Sequence, residues 1–385
     1  MMSQGKIEQV PVPMQKVFAQ MEQRILDDLV ERITIAEEIT SVSDWQLNRL
    51  YETGRSRKEI DQALQEALGY TDADKLEELY RNTVGEDYVR NVDLYQKAGL
   101  PAIPLEENQE LQEFIRSVAE QTSGTFRNFT NSLGMRYSKN GTMIERRLTE
   151  AYMDILDGAV TDILLGAADY HTVLQRAVKD LKNSGIRYID FQNGKSFNVV
   201  GHARTCIMTG FGQIAGKANE SLAQQIGTDT YEVTWHAGAR PSHQPWQGRV
   251  YRYDELVSVC GLGSAGGLCG ANCYHMYYPF VEGASTRTYT DAWLDRMNGQ
   301  ENEKTAYNGK EYTTYQALQQ QRKMERSMRA QRQEISMYKA AEEDKLVIES
   351  RTKYRSQMKQ YSEFSKAMDL PEQRERIYMD GLGRV

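Results

Sequence analysis

Long apolar runs are absent from this chain. The most apolar stretch, residues 151–168, is interrupted by Asp154, Asp157 and Asp162. A membrane span needs roughly 18 uninterrupted apolar residues, so no membrane partner is expected. The opening residues, MMSQGKIEQV, lack the basic-then-apolar order of a secretory signal. The expected place of action is therefore the cytoplasm of the cell that makes the protein, and the Asn-x-Ser/Thr matches at Asn128 and Asn140 carry no consequence. Cysteine is scarce, with four in 385 residues, too few for a disulfide scaffold at this length. A P-loop is also lacking: Gly216-Lys217 is followed by Ala218, and Phe211 stands where the first glycine would be. The G-x-G-x-x-G text at residues 261–266 runs into Gly267, Gly270 and Asn272. A helix would have to begin there, so the text reads as a flexible loop.

Charge and tyrosine are plentiful. The net charge is -7, yet between residues 322 and 359 eleven Lys or Arg stand against six Asp or Glu. An acidic body with a basic helical arm excludes whole-surface DNA binding but leaves the arm free to meet nucleic acid. Arg322, Lys323, Arg326, Arg329 and Arg332 recur at helical spacing. They read either as phosphate contacts or as a solvated face, since Glu325 and Glu334 interrupt them. Tyrosine outnumbers phenylalanine by 23 to 9. An apolar ring with a polar tip suits half-wet interfaces, which points to assembly with other proteins.

Periodicity gives the organisation. Val17, Met21, Ile25, Leu29 and Ile33 form one apolar stripe of a helix. Further helices are predicted at 58–69, at 73–83 with Thr71 or Asp72 as cap, at 107–120, at 144–165 and at 172–181, where Asn183-Ser184-Gly185 is a stop. Residues 98–104, AGLPAIP, read as a linker or sharp turn. Residues 186–191 alternate like a strand, Asn193-Gly194 is a tight-turn dipeptide, and 197–200 is the return strand. A helix follows at 201–226, weakened by Gly210, Gly212 and Gly216, and then a strand at 231–235. Residues 236–280 read as loops and short strands. From about 312 to 370 neither Pro nor Gly interrupts a helical composition, and Tyr354, Met358, Tyr361, Phe364 and Met368 form a seam suited to a coiled coil or docked arm. The expected fold class is mainly α with a small central α+β unit and a long C-terminal helical arm. The expected divisions are a helical region at 1–98, a helical domain at 99–185, the α+β unit at 186–300 and the partly basic arm at 301–385.

The segment 236–251, HAGARPSHQPWQGRVY, carries His236, Ala239, Arg240, Pro241, Ser242, His243, Trp246, Gln247 and Gly248. Downstream come Gly267-Leu268-Cys269-Gly270, Asn272, Cys273, His275, Tyr278, Pro279 and Phe280. Upstream stand Arg204-Thr205, Glu107-Asn108, Gln121-Thr122 and Asn128-Phe129-Thr130. This pattern resembles the phage minor capsid protein 2 family, over about residues 100–380, and most specifically in the 236–251 block. The resemblance implies a structural protein of the tailed-phage virion, lying inside the capsid near the portal and present in host cytoplasm during assembly. It implies the portal protein and a major capsid or scaffold protein as partners, packaged DNA as a further one, and roles in head assembly, DNA packaging or DNA ejection. It implies no catalytic residues.

The same block gathers the chemistry-bearing side chains. Cys269-x3-Cys273-x-His275 places three soft or borderline ligands within seven residues, and His243, His236 or Cys260 would supply a fourth for tetrahedral zinc. The competing reading is packed Cys and His, since buried cysteine behaves as a small hydrophobe. A Cys–His hydrolase built on Cys273 with His275 or His243 needs an orienting group that the sequence does not mark. A metal-dependent hydrolase or nuclease on His243, Cys269, Cys273 and His275 is the alternative function. An HNH-like arrangement finds the residue types in His243, Asn272 and His275 but not a recognisable spacing. No separate toxin or effector module follows the block.

Overall fold

The structure is a computed structural model that describes residues 1–35, 42–139, 141–190 and 194–384. The chain begins with α1 (Gln4–Gln9) and α2 (Val12–Ile35). In α2 the predicted stripe buries Met21, Ile25, Leu29 and Ile33, widened by Phe18, Leu26 and Val30. Then come α3 (Val42–Gly69) and α4 (Ala73–Lys97). Asp72 caps α4 through its side chain, as the sequence suggests. The helix nevertheless runs fourteen residues past the predicted end at 83, because Tyr80, Val84, Tyr88 and Val92 keep its apolar face buried. Gly99, at φ 77°, ends it in the left-handed conformation.

Helix α5 (Gln109–Ser132) is followed by β1 (Leu133–Lys139) and β2 (Thr142–Arg147), an antiparallel hairpin where helix was predicted from 144. Met135 and Tyr137 are buried while Arg136 is exposed, a period of two that the apolar count alone concealed. Helix α6 (Leu148–Leu164) and α7 (Tyr170–Ser184) follow, the latter capped by Asp169 and stopped at Gly185 with φ 60°. Strands β3 (Ile186–Asp190) and β4 (Lys195–Asn198) pair as predicted. Asn140, Phe191 and Asn193 lie outside the described residues.

Helix α8 (Val199–Ile226) leads to β5 (Thr230–Val233), β6 (Val250–Arg252), α9 (Tyr253–Ser258) and β7 (Tyr277–Pro279). Next come α10 (Asp291–Asn302), capped by Thr290, and the hairpin β8 (Thr305–Tyr307) with β9 (Lys310–Tyr312). Asn308 and Gly309 both have positive φ at this turn, the conformation a two-residue hairpin prefers. The chain ends with α11 (Thr314–Ala340), α12 (Asp344–Ala367) and two short 3₁₀ turns. The single helix predicted over 312–370 is thus broken at 341–343. Glu342 takes φ 57° and the Glu343 amide bonds back to the Tyr338 carbonyl, a helix stop without glycine that costs about 1–2 kcal/mol. Among the described residues no helix is long and apolar enough to cross a membrane. The protein is mainly α with small antiparallel sheets.

Two compact units emerge. The first comprises Met1–Met14, Thr71–Thr125 and Arg204–Gln320; the second comprises Gln15–Tyr70, Phe126–Ala203 and Gln321–Val385. In the first unit the sheet order is β6-β5-β7. Tyr231, Val233, Trp246, Leu256, Cys260, Leu268 and Tyr277 form its core with Ala223 of α8. The glycines of α8 admit close neighbours. A Cβ at Gly210 would lie 2.3 Å from the Tyr80 hydroxyl, and one at Gly216 would lie 2.6 Å from the Tyr277 hydroxyl. Tertiary packing outweighs the helix cost of glycine here.

In the second unit the sheet order is β2-β1-β3-β4. Phe18 stacks on Phe126, Phe129 meets Phe126 edge to face, and the His202 ring lies against Phe129, Tyr188 and Phe197. Within this unit α11 and α12 form a hairpin, joined by Gln321 to Ser365, Tyr361 to Glu325 and Ser350 to Glu334. Met328, Tyr361 and Ile377 make its core, with Tyr354 and Met358 of the predicted seam packed against them.

Glu22 is buried in this unit. It accepts from the Ile186 amide at 2.6 Å and from Gln333 Nε2 at 3.3 Å. Burial pushes its carboxyl up to about 7, against weaker lowering by those two bonds and by Arg329 and Arg187. A carboxyl whose folded value is raised favours folding fully below its unfolded value near 4.5, and that contribution is lost as pH rises through 7. Glu22→Gln is therefore expected to leave stability almost unchanged near pH 4.5 and to raise it at pH 8, by an amount on the order of 3 kcal/mol. Urea unfolding of both proteins across this range checks it; a pH-independent difference refutes it.

Candidate functional site

The 236–276 segment has little regular structure, so side chains must satisfy much of its buried polarity. Three of them converge. His243 Nδ1 lies 3.4 Å from His275 Nδ1, and Cys273 Sγ lies 3.9 Å from the first and 3.4 Å from the second. All three residues are buried. The outer nitrogens are tied as well: His243 Nε2 lies 2.8 Å from the Gly266 carbonyl, and His275 Nε2 lies 2.9 Å from Gln247 Oε1. Both acceptors are oxygens, so each Nε2 carries the proton and each Nδ1 presents a lone pair.

Burial sets the charge states. It holds His243 below the usual imidazole range, opposed by its bond to Gly266. It pushes His275 well below, helped by His236, His243 and Arg240. Both rings are therefore neutral at pH 7. Burial also raises the Cys273 thiol, against backbone N–H groups that favour its thiolate. One of these, the His275 amide, donates to Cys273 Sγ at 3.4 Å.

The 236–251 residues mostly build this frame. Gln247 is 1% exposed; its Oε1 accepts from the His236 amide as well as from His275, and its Nε2 donates to Asn298 of α10. Trp246 is buried against both rings, with centroids 4.5 Å from His243 and 4.8 Å from His275. The His236 ring lies 4.1 Å from His275. Arg240 donates to the Ala271 carbonyl at 2.6 Å. Gly248 has φ 72°, and a Cβ there would stand 2.5 Å from Leu294. Pro241 and Ser242 are exposed in the turn closed by the His243 amide on the Arg240 carbonyl.

Arg204 and Thr205 of α8 reach the same loop. Arg204 donates to the Tyr274 hydroxyl at 2.7 Å, and Asn272 Nδ2 donates to Thr205 Oγ1 at 3.2 Å. The Arg-Thr pair thus brackets Cys273. Cys269 stands apart from the three-residue cluster, its thiol donating to the His275 carbonyl at 3.4 Å, and Cys260 is a core residue. Sequence reasoning missed Asn298 and the Gly266 carbonyl. A capping Thr290 before an apolar turn was the available sign of α10; nothing in the sequence marks a backbone carbonyl.

The five basic residues of α11 divide. Arg332 is buried, bidentate on Asp380 and bonded to the Gly383 carbonyl. Arg329 donates to the Arg376 carbonyl. Both are turned inward because Asp380 and the C-terminal carbonyls sit beside α11, so neither presents its charge to a phosphate. Lys323 and Arg326 are exposed, and Arg322 is half-buried. A cleft of about 500 Å³ in the second unit is lined by Arg24, Asp27, Glu31, Arg55 and Glu59 among others. Glu59 and Glu66 hold Arg24 there, and none of the gathered Cys and His residues contributes.

Comparison with known proteins agrees with the sequence pattern. The profile of the family described as Phage minor capsid protein 2 matches residues 2–366. A protein named "Structural protein" from Lactococcus phage LL-H is 22% identical over 344 residues, covering 82% of this chain and 85% of its own. No solved structure matches.

Removing the Trp246 ring opens a cavity beside both histidines. Trp246→Ala is expected to lower unfolding free energy by about 3–5 kcal/mol, read by chemical denaturation; an unchanged transition would mean the ring is not a core element.

Proposed function

Since the chain belongs to the phage minor capsid protein 2 family, we propose that it is a minor structural protein of a tailed-phage head, seated inside the capsid beside the portal and acting in head assembly, DNA packaging or DNA ejection. The observation that carries this reading is the extent of the family match, residues 2–366, which includes residues of both units. The phage structural protein that resembles it over most of both chains supports it. The partners are the portal protein, a major capsid or scaffold protein, and packaged DNA.

The role is structural rather than catalytic. His243, Cys273 and His275 are buried, and their outer ring nitrogens are occupied by carbonyl oxygens. That arrangement holds loops together; a polymer substrate has no access to it. The alternative of a hydrolase or nuclease on this cluster is not favoured by its geometry.

DNA contact is assigned to the exposed side of α11, to Lys323 and Arg326 with Arg322 beside them. The Lys323→Gln/Arg326→Gln double variant is expected to reduce the slope of log affinity against log salt by about 2 for duplex DNA. No binding by the unmodified protein at low salt would remove DNA from the partners. For the head assignment, mass spectrometry of purified virions is expected to find the protein at far fewer copies than the major capsid protein, and affinity-tagged protein from infected cells is expected to retain portal. Absence from virions overturns the proposal.

A further inference from the structure

We propose that His243, Cys273 and His275 bind a zinc ion through Nδ1, Sγ and Nδ1, three corners of a tetrahedron. The edges of the triangle carry the argument. With Zn–N of about 2.0–2.1 Å and Zn–S of about 2.3 Å, tetrahedral geometry requires about 3.3 Å between two nitrogens and about 3.6 Å between nitrogen and sulfur. The observed edges are 3.4 Å between the nitrogens, and 3.4 and 3.9 Å to the sulfur.

The hydrogen bonds around the triangle point the same way. Metal-bound histidines donate their second ring N–H to a carbonyl or carboxylate, which fixes the tautomer. Here both do so, to the Gly266 carbonyl and to Gln247 Oε1. Each Nδ1 lone pair is thereby aimed inward. Two lone pairs facing one another at 3.4 Å need a positive centre between them, and the single thiol proton of Cys273 can satisfy only one. A zinc ion satisfies both and takes the sulfur as thiolate, releasing that proton. The His275 amide directed at Cys273 Sγ favours the same thiolate.

The donor set also selects the metal. Two imidazoles and a thiolate suit zinc and disfavour magnesium or calcium, which prefer oxygen. Full burial of the ligands and the aromatic wall of Trp246 and His236 fit an ion that staples the 236–248 loop to the 266–275 loop. Such a staple suits a segment with few strand hydrogen bonds of its own.

The test uses the full chain, expressed in zinc-supplemented medium and purified without chelator. Elemental analysis is expected to find about one zinc per chain. Replacement by cobalt(II) is expected to give visible d–d bands of tetrahedral intensity and a near-ultraviolet thiolate-to-cobalt transition. Chelation is expected to lower the melting temperature by about 5 °C or more, restored by zinc. Cys273→Ser should lose the thiolate band, while Cys269→Ser, four residues away and outside the triangle, should keep both metal and band. Because Cys273→Ser can fail to fold, the decisive measurement is on the unmodified protein. Less than about 0.1 zinc per chain, with no cobalt bands on titration of a cooperatively folded sample, overturns the proposal. Loss of metal in folded Cys269→Ser overturns the ligand set.

Discussion

One buried carboxamide constrains much of the first unit. Gln247 is 1% exposed and holds three partners: the His236 amide, His275 Nε2 and Asn298 Oδ1. Its oxygen accepts twice and its nitrogen donates, so its orientation is fixed by what surrounds it. That orientation sets the tautomer of His275, and the tautomer sets where the Nδ1 lone pair points. A buried polar network of this kind is costly when half satisfied and specific when complete. The tight turn at 240–248, with Gly248 in the left-handed region against Leu294, exists to bring Gln247 and Trp246 to the same side of the loop.

Helix α8 supplies the rigid side of this arrangement. Gly210 and Gly216 let Tyr80 and Tyr277 approach its backbone, and the Cys269 carbonyl stands 3.0 Å from where a Gly212 Cβ would be. The helix therefore touches the Cys-containing loop twice, at Gly212 and through Arg204 and Thr205 on Tyr274 and Asn272. Close approach, not flexibility, explains glycines in the interior of a long helix. A loop pinned this way positions Cys273 without a strand beneath it.

Much of the helical plan was legible because it rests on local signals. The α2 stripe, the Asp72 cap, the Gly185 stop and the 186–198 hairpin are all written in short windows of sequence. The errors arise where tertiary pairing or an unannounced backbone turn extends or divides an element. Tyr88 and Val92 prolong α4, residues 144–147 pair with β1 as part of β2 instead of opening a helix, and Glu342 breaks the C-terminal helix with neither Gly nor Pro to announce it. At the site, the ligand-type residues were visible as a cluster, but which of them meet was not. Cys269 and Cys273 are indistinguishable by spacing. Cys269 and Asn272 both take positive φ, and in the loop so formed Cys273 meets the histidine rings while the Cys269 thiol meets the His275 carbonyl.

The basic helix shows why composition does not define a surface. Of five cations at helical spacing, Arg332 is 1% exposed and bidentate on Asp380, with Tyr378 beneath its guanidinium. The planar fork of arginine suits this geometry where lysine would not. A buried pair of this type adds little net stability over an apolar one, but breaking it leaves a stranded charge. Its consequence is positional: it anchors the C-terminal turns to α11, beside the Tyr361 hydroxyl that accepts from the Gln373 amide. The charge of Arg332 and Arg329 thereby anchors the C-terminal turns, and of the five cations Lys323 and Arg326 stay exposed. Contact between a patch of this size and phosphates is salt-sensitive and independent of sequence.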